Sequence, residues 1–100
     1  MIRQTEEMDA QAHRDFLKSD RRLNRVYAEV ARRVSSPVTR RKLVLSERAW
    51  LAYRDAKANY EARIFADGGL EYPLYFDNAR TEMTDQRVKQ LRRDVWAISY

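Results

Sequence analysis

The 100-residue sequence contains no cysteine, only two glycines and two prolines, and one histidine. The absence of cysteine excludes disulfides and thiolate metal sites. So few helix breakers, in a chain rich in Ala, Arg and Leu, favour an all-α fold. One histidine and scattered acids do not have metal-ligand spacing, and neither a Ser–His–Asp constellation nor a phosphate-binding glycine loop can be assembled. We therefore expect a protein that is not an enzyme and that needs no cofactor and no metal.

Long apolar runs are absent as well. No segment approaches the roughly 18 apolar residues that a transmembrane helix needs, so we expect no membrane span. Met1 leads directly into polar residues, and no signal peptide is visible in this chain. A mature secreted chain placed behind a start Met would have the same appearance. The composition by itself therefore does not fix the compartment.

Breaker residues divide the chain into helices, within what we expect to be one domain over 1–100. The expected helices cover about 5–34, 38–65, 73–83 and 84–97. Ser35 to Pro37 ends the first helix, because the residue before a proline is pushed out of helical angles, and Asp67 to Gly69 ends the second. Thr84 is the predicted N-cap of the last piece, unless the last two pieces form one kinked helix. The predicted fold is two long antiparallel helices with this shorter return packed on them.

The two long helices carry apolar residues at helical spacing. In the first helix the predicted core stripe comprises Met8, Ala12, Phe16, Leu23, Val26, Tyr27, Val30 and Val34. In the second helix the predicted core face comprises Leu43, Trp50, Tyr53, Tyr60 and Ile64. One buried Trp or Tyr covers roughly 150–250 Å², so we expect the other helices to pack around these aromatic residues.

Charged residues interrupt both stripes. Asp20 falls on the first stripe, and Arg54 lies four residues after Trp50 on the edge of the second. Because a buried unpaired charge is costly, Arg54 needs a carboxylate partner. Asp55 is too close in sequence to face it on a helix, so we expect the partner to come from another segment. Asp20 is the predicted partner of Arg54 or Arg48.

The order and spacing of several polar and aromatic residues resemble those of a known family. The matching segments are Glu7-Met8, Asp20-x-x-Leu23-Asn24-x-x-Tyr27, Glu47-Arg48-Ala49-Trp50-x-x-x-Arg54-Asp55-Ala56, Gly68-Gly69 and Met83-Thr84-x-x-Arg87-x-x-x-Leu91. Over about residues 6–92 the chain resembles the lysozyme-inhibitor LprI N-terminal-domain-like family. The resemblance implies a small helical bacterial protein, periplasmic or secreted, with a lysozyme-like hydrolase as its protein partner. A cytoplasmic location is the alternative.

The chain departs from the family pattern at its cysteines and in one turn. The resemblance places cysteines near Gln11, Ala58 and Asn78 or Ala79, and this chain has none. Packing must then replace bridges that stabilise by roughly 2–4 kcal/mol each. The residue after the glycine pair is Leu70, where a serine is usual. If that serine contributes to target binding, Leu70 changes the contact.

The motif residues have two interpretations. We favour a structural network that fixes the register of the two long helices, since polar positions on apolar stripes commonly do so. The alternative is that the same residues line a ligand site. These residues are Asp20, Asn24, Tyr27, Trp50, Arg54 and Asp55.

Candidate partner-binding residues lie in the two turns. Glycosidases use two carboxylates in a cleft, and an inhibitor can insert a basic or hydrogen-bonding group between them. The candidates are Asp67, Gly68, Gly69 and Leu70 after the second helix, and Arg40 and Arg41 after the first.

Positive charge is concentrated from Lys18 to Lys42, where nine Lys and Arg stand against two acids, a local charge of +7 in a chain of +5. The predicted basic stripe comprises Arg21, Arg22, Arg25, Arg32 and Arg33. We interpret it as a solvated face, with an anionic docking surface as the alternative. Aromatic residues do not alternate with the basic ones, which disfavours nucleic acid as a partner. A helical interaction module or homodimer is a third possibility, and the oligomeric state is not indicated.

Overall fold

A computed structural model describes the backbone of residues 2–99 and the side chains of residues 5–98. Three helices make up this backbone: α1 (Ile2–Arg33), α2 (Pro37–Ala66) and α3 (Tyr72–Ser99). No strand occurs between residues 2 and 99, so the all-α prediction is confirmed. The helix count is not, because α3 is one helix of 28 residues where two shorter pieces were predicted.

Helix α3 runs through Thr84 without a break. No glycine or proline occurs between Leu74 and Ser99, so nothing in the backbone forces an end there. The Thr84 side chain is fully buried and its Oγ1 accepts a hydrogen bond from Arg54 Nη1 at 3.4 Å. A threonine in mid-helix is tolerated when its hydroxyl finds such a partner. The predicted N-cap is therefore a tertiary contact residue.

The turn between α1 and α2 is closed by side chains from both sides. Ser36 is the N-cap of α2, and its Oγ accepts a hydrogen bond from the Thr39 backbone N–H at 3.3 Å. Pro37 occupies the first helical position, where its missing N–H costs nothing. Arg40 Nη2 donates to the Val34 carbonyl oxygen at 2.7 Å, which caps the end of α1.

The turn between α2 and α3 depends on left-handed backbone conformations. Asp67 has φ 45° and ψ 48°, and its N–H donates to the Arg63 carbonyl at 3.1 Å. Gly68 follows at φ 74°, a conformation that favours glycine. A Cβ on Gly69 would lie 2.9 Å from the Ala66 carbonyl oxygen. Both glycines are thus required by the backbone of this tight turn.

Helix α3 is the central element of the packing. It lies against both α1 and α2, whereas α1 and α2 hardly approach one another at the backbone. The main apolar cluster comprises Leu23, Val26, Val30, Val34, Val88 and Leu91. The molecule is elongated, with extents of 53 × 21 × 16 Å. The sequence predicts two long helices packed on each other with a shorter helix beside them. In the structure, α1 and α2 instead both pack on α3.

The predicted core face of α2 is wrong in part. Leu43 and Trp50 pack against the apolar cluster, but Tyr53, Tyr60 and Ile64 are exposed. The residues of α2 that are buried are Glu47, Arg54, Ala58 and Ala62. Small alanines let helices approach closely, so they occupy the contact with α3 while the larger aromatic side chains point outward.

Candidate functional site

Arg54 lies at the point where the three helices meet. Its Nη1 is 3.3 Å from Asp20 Oδ1 on α1 and 3.4 Å from Thr84 Oγ1 on α3, and its Nε donates to Asp55 Oδ1 at 2.9 Å. The Arg54 side chain is 7% exposed, against 33% for Asp20 and 51% for Asp55. The guanidinium is thus the buried member of the group, and its carboxylate partners reach solvent.

Aromatic rings complete the surroundings of Arg54. Its guanidinium carbon is 5.0 Å from the ring centroid of Phe16 and 5.5 Å from that of Trp50. A cation close to an aromatic face is stabilised by the ring quadrupole, more so when water is excluded. Arg87 lies 5.5 Å from the same Trp50 ring. Trp50 therefore contacts two cations rather than forming the centre of an apolar core.

The ion pair with Asp20 is the pair that the sequence predicts, whereas Arg48 is exposed and takes no part in it. The exclusion of Asp55 was wrong. Neighbouring residues on a helix do point in different directions, but the long stem of arginine can bend until Nε reaches the next side chain. Arg54 thus has one carboxylate partner within its own helix and one across the interface.

Asn24 and Tyr27 lie outside this network. No hydrogen bond within the described part of the chain links either of them to Arg54. They line a groove of about 210 Å³ between α1 and α2, together with Leu23, Val44, Glu47, Arg48 and Leu51. Of the six predicted network residues, four come together around Arg54 and two form part of this neighbouring groove.

A buried carboxylate, Glu47, lies on the same face of α2 as Arg54, seven residues before it. Its Oε1 accepts a hydrogen bond from Arg87 Nε at 3.4 Å, while Oε2 is buried with no hydrogen-bond partner among the described residues. Burial raises the pKa of Glu47 above 4.5, and the Arg87 charge acts in the opposite direction. Sequence reasoning missed Glu47 as a site residue, although the seven-residue spacing to Arg54 was available as a signal.

A third cluster joins α1 to the first turns of α3. Asp77 is buried, with Oδ1 bonded to Arg80 Nη2 and Oδ2 3.2 Å from His13 Nδ1. The Arg80 guanidinium carbon lies 3.7 Å from the Phe16 ring centroid and 4.4 Å from that of Phe76. Phe16 is therefore held between Arg54 and Arg80. These buried clusters therefore connect the helices to one another.

The turn after α2 presents an exposed apolar tip. Leu70 is 87% exposed, and Ile64 and Phe65 before the turn are exposed as well. The base of the turn is held by a hydrogen bond from the Tyr72 hydroxyl to Asn59 Oδ1. The candidate residues Asp67, Gly68, Gly69 and Leu70 all lie in this exposed segment.

Arg40 and Arg41 lie at the opposite end of α2. About 27 residues of helix separate them from the Leu70 turn, which corresponds to roughly 40 Å. Arg41 is exposed, whereas the guanidinium of Arg40 is engaged in capping α1. The structure therefore does not bring the two predicted partner-binding segments together.

The basic stripe divides into two groups. Arg22 pairs with Asp85 at 3.5 Å, and Arg33 pairs with Glu29 at 3.1 Å. Arg21, Arg25 and Arg32 are exposed. A groove of about 530 Å³ between α1 and α3 is lined by Arg25, Val26, Ala28, Glu29, Arg32, Arg92 and Val95. Arg92 was missed because it lies far from the others in sequence and comes close only through helix packing.

The chain matches the family model of the lysozyme inhibitor LprI over residues 1–91. It belongs to the LprI family. The resemblance drawn from the sequence is thus confirmed, and LprI is a family of inhibitors rather than of catalysts. No curated protein and no solved structure matches the chain. The matched residues include all three buried ion-pair clusters and the Leu70 turn, whereas Arg92 lies beyond them.

In this LprI-family chain, residues that cannot form disulfides occupy the positions of the expected family cysteines. At the position nearest one of them, Gln11 is exposed and donates to Asp15 at 2.8 Å; at another, Ala58 is fully buried. Between residues 5 and 98, no group of His, Asp and Glu side chains is placed to hold a metal ion. None of the helices, over the residues described, is long and apolar enough to cross a membrane.

Proposed function

We propose that this protein binds and occludes a lysozyme-type peptidoglycan hydrolase, outside the cytoplasm, through the apolar tip of the α2–α3 turn. The observation that carries the proposal is the exposure of Leu70 on a turn whose backbone is fixed by Asp67, Gly68 and Gly69. A preformed protruding segment loses little conformational entropy when it binds. Membership of the inhibitor family supports the same assignment.

Local charge at the tip suits a basic target. Asp67 and Glu71 flank Leu70, and no Lys or Arg occurs from Ile64 to Ala79. The net charge of +5 would repel a basic hydrolase at long range. However, the excess positive charge lies between Lys18 and Lys42, around the α1–α2 turn at the opposite end of α2 from Leu70. Charges farther away than the Debye length, about 8 Å at physiological salt, are largely screened. The acidic tip is therefore the end that a basic hydrolase would approach.

The proposal is tested by the loss of turbidity of a peptidoglycan suspension treated with basic or acidic hydrolases. We expect stoichiometric protection against a basic hydrolase. Leu70→Ala should weaken inhibition by about tenfold or more, because burying a leucine contributes roughly 1.5–3 kcal/mol. Val38→Ala is the matched control, since Val38 is an exposed apolar residue at the other end of α2. Protection against no hydrolase, or equal inhibition by Leu70→Ala and wild type, would contradict the proposal.

A second function is favoured by the basic groove between α1 and α3. Arg25, Arg32 and Arg92 line it, and the one acid beside them, Glu29, is engaged with Arg33. Such a groove suits an anionic surface, for which binding would fall steeply with salt. We expect binding to vesicles of anionic lipid, but not zwitterionic lipid, to require these three arginines. A triple Arg→Gln variant that binds vesicles as wild type does would exclude this role.

A further inference from the structure

The outward side of α2 carries an uncharged stripe. Its members recur at positions i, i+4, i+7, i+8, i+11 and i+15, and therefore lie on one side of the helix, opposite the buried residues. They are Leu45, Ala49, Ala52, Tyr53, Ala56 and Tyr60, and all of them are exposed. Lys42 and Arg63 bound the stripe at its two ends. Over these sixteen residues, or roughly 22 Å of helix, no member of the stripe is charged. The nearest charge lies at its edge, where Lys57 Nζ is 5.9 Å from the Tyr53 ring centroid.

The molecule exposes more surface than a monomer of its mass usually does. The accessible area is 7278 Å² for 12.0 kDa, against about 6,000 Å² from the scaling for monomeric proteins. The radius of gyration is 16.1 Å, against about 13 Å for a compact chain of this length. A standard interface removes about 800 Å² from each partner. The excess, roughly 1,300 Å², is larger than the area that one such interface would remove from this chain.

We infer that a second copy of this chain covers the outward stripe of α2 in an antiparallel, two-fold symmetric dimer. An axis between Ala52 and Tyr53 places Leu45 opposite Tyr60 of the second copy, and Ala49 opposite Ala56. Leu45 and Tyr60 then meet at the two ends, while Ala52 of each copy faces Tyr53 of the other beside the axis, a pairing of small with large residues that suits an interaxial distance of about 8–10 Å. A self-complementary patch of this kind is what a two-fold interface requires.

Charges beside the stripe agree with the antiparallel orientation. Arg48 and Asp55 lie on the same flank of α2, seven residues apart and on opposite sides of the axis. In an antiparallel pair the same flanks face each other, so Arg48 of each copy meets Asp55 of the other. Arg48 has no ion-pair partner among the described residues, and Asp55 uses only Oδ1 for Arg54. Each subunit therefore offers one available cation and one available carboxylate oxygen to the other.

The dimer does not depend on the proposed hydrolase partner. The Leu70 turn lies beyond the charged end of the stripe, and antiparallel pairing would leave one exposed turn at each end of the dimer. Loss of the dimer and loss of inhibition are thus separate outcomes, because Leu70→Ala should leave the dimer intact.

Sedimentation equilibrium up to about 100 μM tests the inference, since a dimer forms by mass action. We expect the wild type to approach twice the monomer mass and Ala52→Glu to raise the dissociation constant by about 100-fold. Ala10→Glu is the matched control, because Ala10 is exposed on α1, away from α2 in sequence and from the basic groove. A wild type that is monomeric throughout, or equal effects of the two substitutions, would overturn the dimer.

A cross-link provides an independent readout, because the chain has no other cysteine. Ala52→Cys lies next to the proposed axis and should form an intermolecular disulfide on mild oxidation. Ala10→Cys should remain largely reduced under the same conditions. Equal cross-linking of the two variants would show random collision and contradict the proposed axis.

Discussion

Helices α1 and α2 both pack on α3, but their outward sides differ completely. The outward side of α1 is cationic, with Arg14, Lys18, Arg21, Arg25 and Arg32 at helical spacing. The outward side of α2 carries an uncharged stripe from Leu45 to Tyr60, with Arg48, Asp55 and Lys57 only along its edges. The inward sides differ in the opposite sense. Helix α1 contributes mainly aliphatic residues to the core, whereas α2 contributes the buried charges of Glu47 and Arg54.

This difference between α1 and α2 distinguishes residues that hold the helices together from residues that are available to a partner. Helix α1 buries its apolar residues and exposes its charges to water, so it needs no partner to cover its outward side. Helix α2 reverses the pattern, so its charges hold the helices together and its apolar residues remain available. A cluster of charges is therefore not the best guide to the binding surface of this protein. The exposed aliphatic and aromatic residues of α2 and its following turn are better candidates.

The largest expected change in stability comes from removing Arg54, a buried charge on the inward side of α2. Arg54→Ala deletes a buried side chain, its cation–π contacts and the link between Asp20 and Thr84, and we expect the free energy of unfolding to fall by about 3 kcal/mol. The figure is at the lower end for a broken buried pair, because both carboxylates reach solvent. Urea denaturation monitored by circular dichroism measures the change.

The control for this substitution is Arg25→Ala on the outward side of α1. Arg25 is exposed, so its loss should change the free energy of unfolding by less than about 0.5 kcal/mol. Similar losses in the two variants would show that Arg54 does not connect the helices.

Sequence patterns were sufficient where local chemistry decides the structure. The ends of α1 and α2 follow from Ser36–Pro37 and from Asp67–Gly68, whose backbone preferences act locally. The pairing of Asp20 with Arg54 was also predictable, because each interrupts an apolar stripe. Thr84 was misinterpreted because it resembles a cap in sequence, while its burial against Arg54 depends on tertiary packing.

The core face of α2 could not be chosen from hydrophobicity alone. Tyr53 and Tyr60 have more apolar surface to bury than Ala58 and Ala62, yet the alanines are buried and the tyrosines are exposed. Close helix approach selects small residues, and periodicity does not show which of two apolar stripes meets the neighbour. The sequence of α2 therefore contains two stripes, and only the structure assigns one to the interior.

A smaller effect is expected from Glu47, the other buried charge on the inward side of α2, and it should appear as a pH dependence of the free energy of unfolding. Burial raises the pKa of Glu47 above 4.5, so the folded protein holds this proton more tightly than the unfolded chain. The resulting stabilisation is complete below the unfolded pKa and is lost as the pH rises through the folded pKa. Glu47→Gln keeps an acceptor for Arg87 without the charge. The free energy of unfolding of Glu47→Gln should therefore rise relative to wild type as the pH increases from below 4.5 through the folded pKa of Glu47.

Denaturation curves of both proteins across this pH range measure the difference. Glu61→Gln is the control, because Glu61 is more accessible and pairs with Lys57 within the same helix. A constant difference between Glu47→Gln and wild type at every pH would contradict the raised pKa.

The smallest expected effect tests the two outward sides directly. Arg21 lies three residues after Lys18 and four before Arg25, so Arg21→Glu converts two repulsions into two attractions. We expect a gain of roughly 0.5–1 kcal/mol at low salt that disappears near 1 M salt, where the Debye length is about 3 Å. Arg48→Glu on α2 is the matched reversal, and its neighbours at the same spacings are Val44, Leu45, Leu51 and Ala52. At protein concentrations too low for self-association it should produce no salt-dependent gain. Equal salt dependence for the two variants would mean that the charge difference between the outward sides has no energetic consequence.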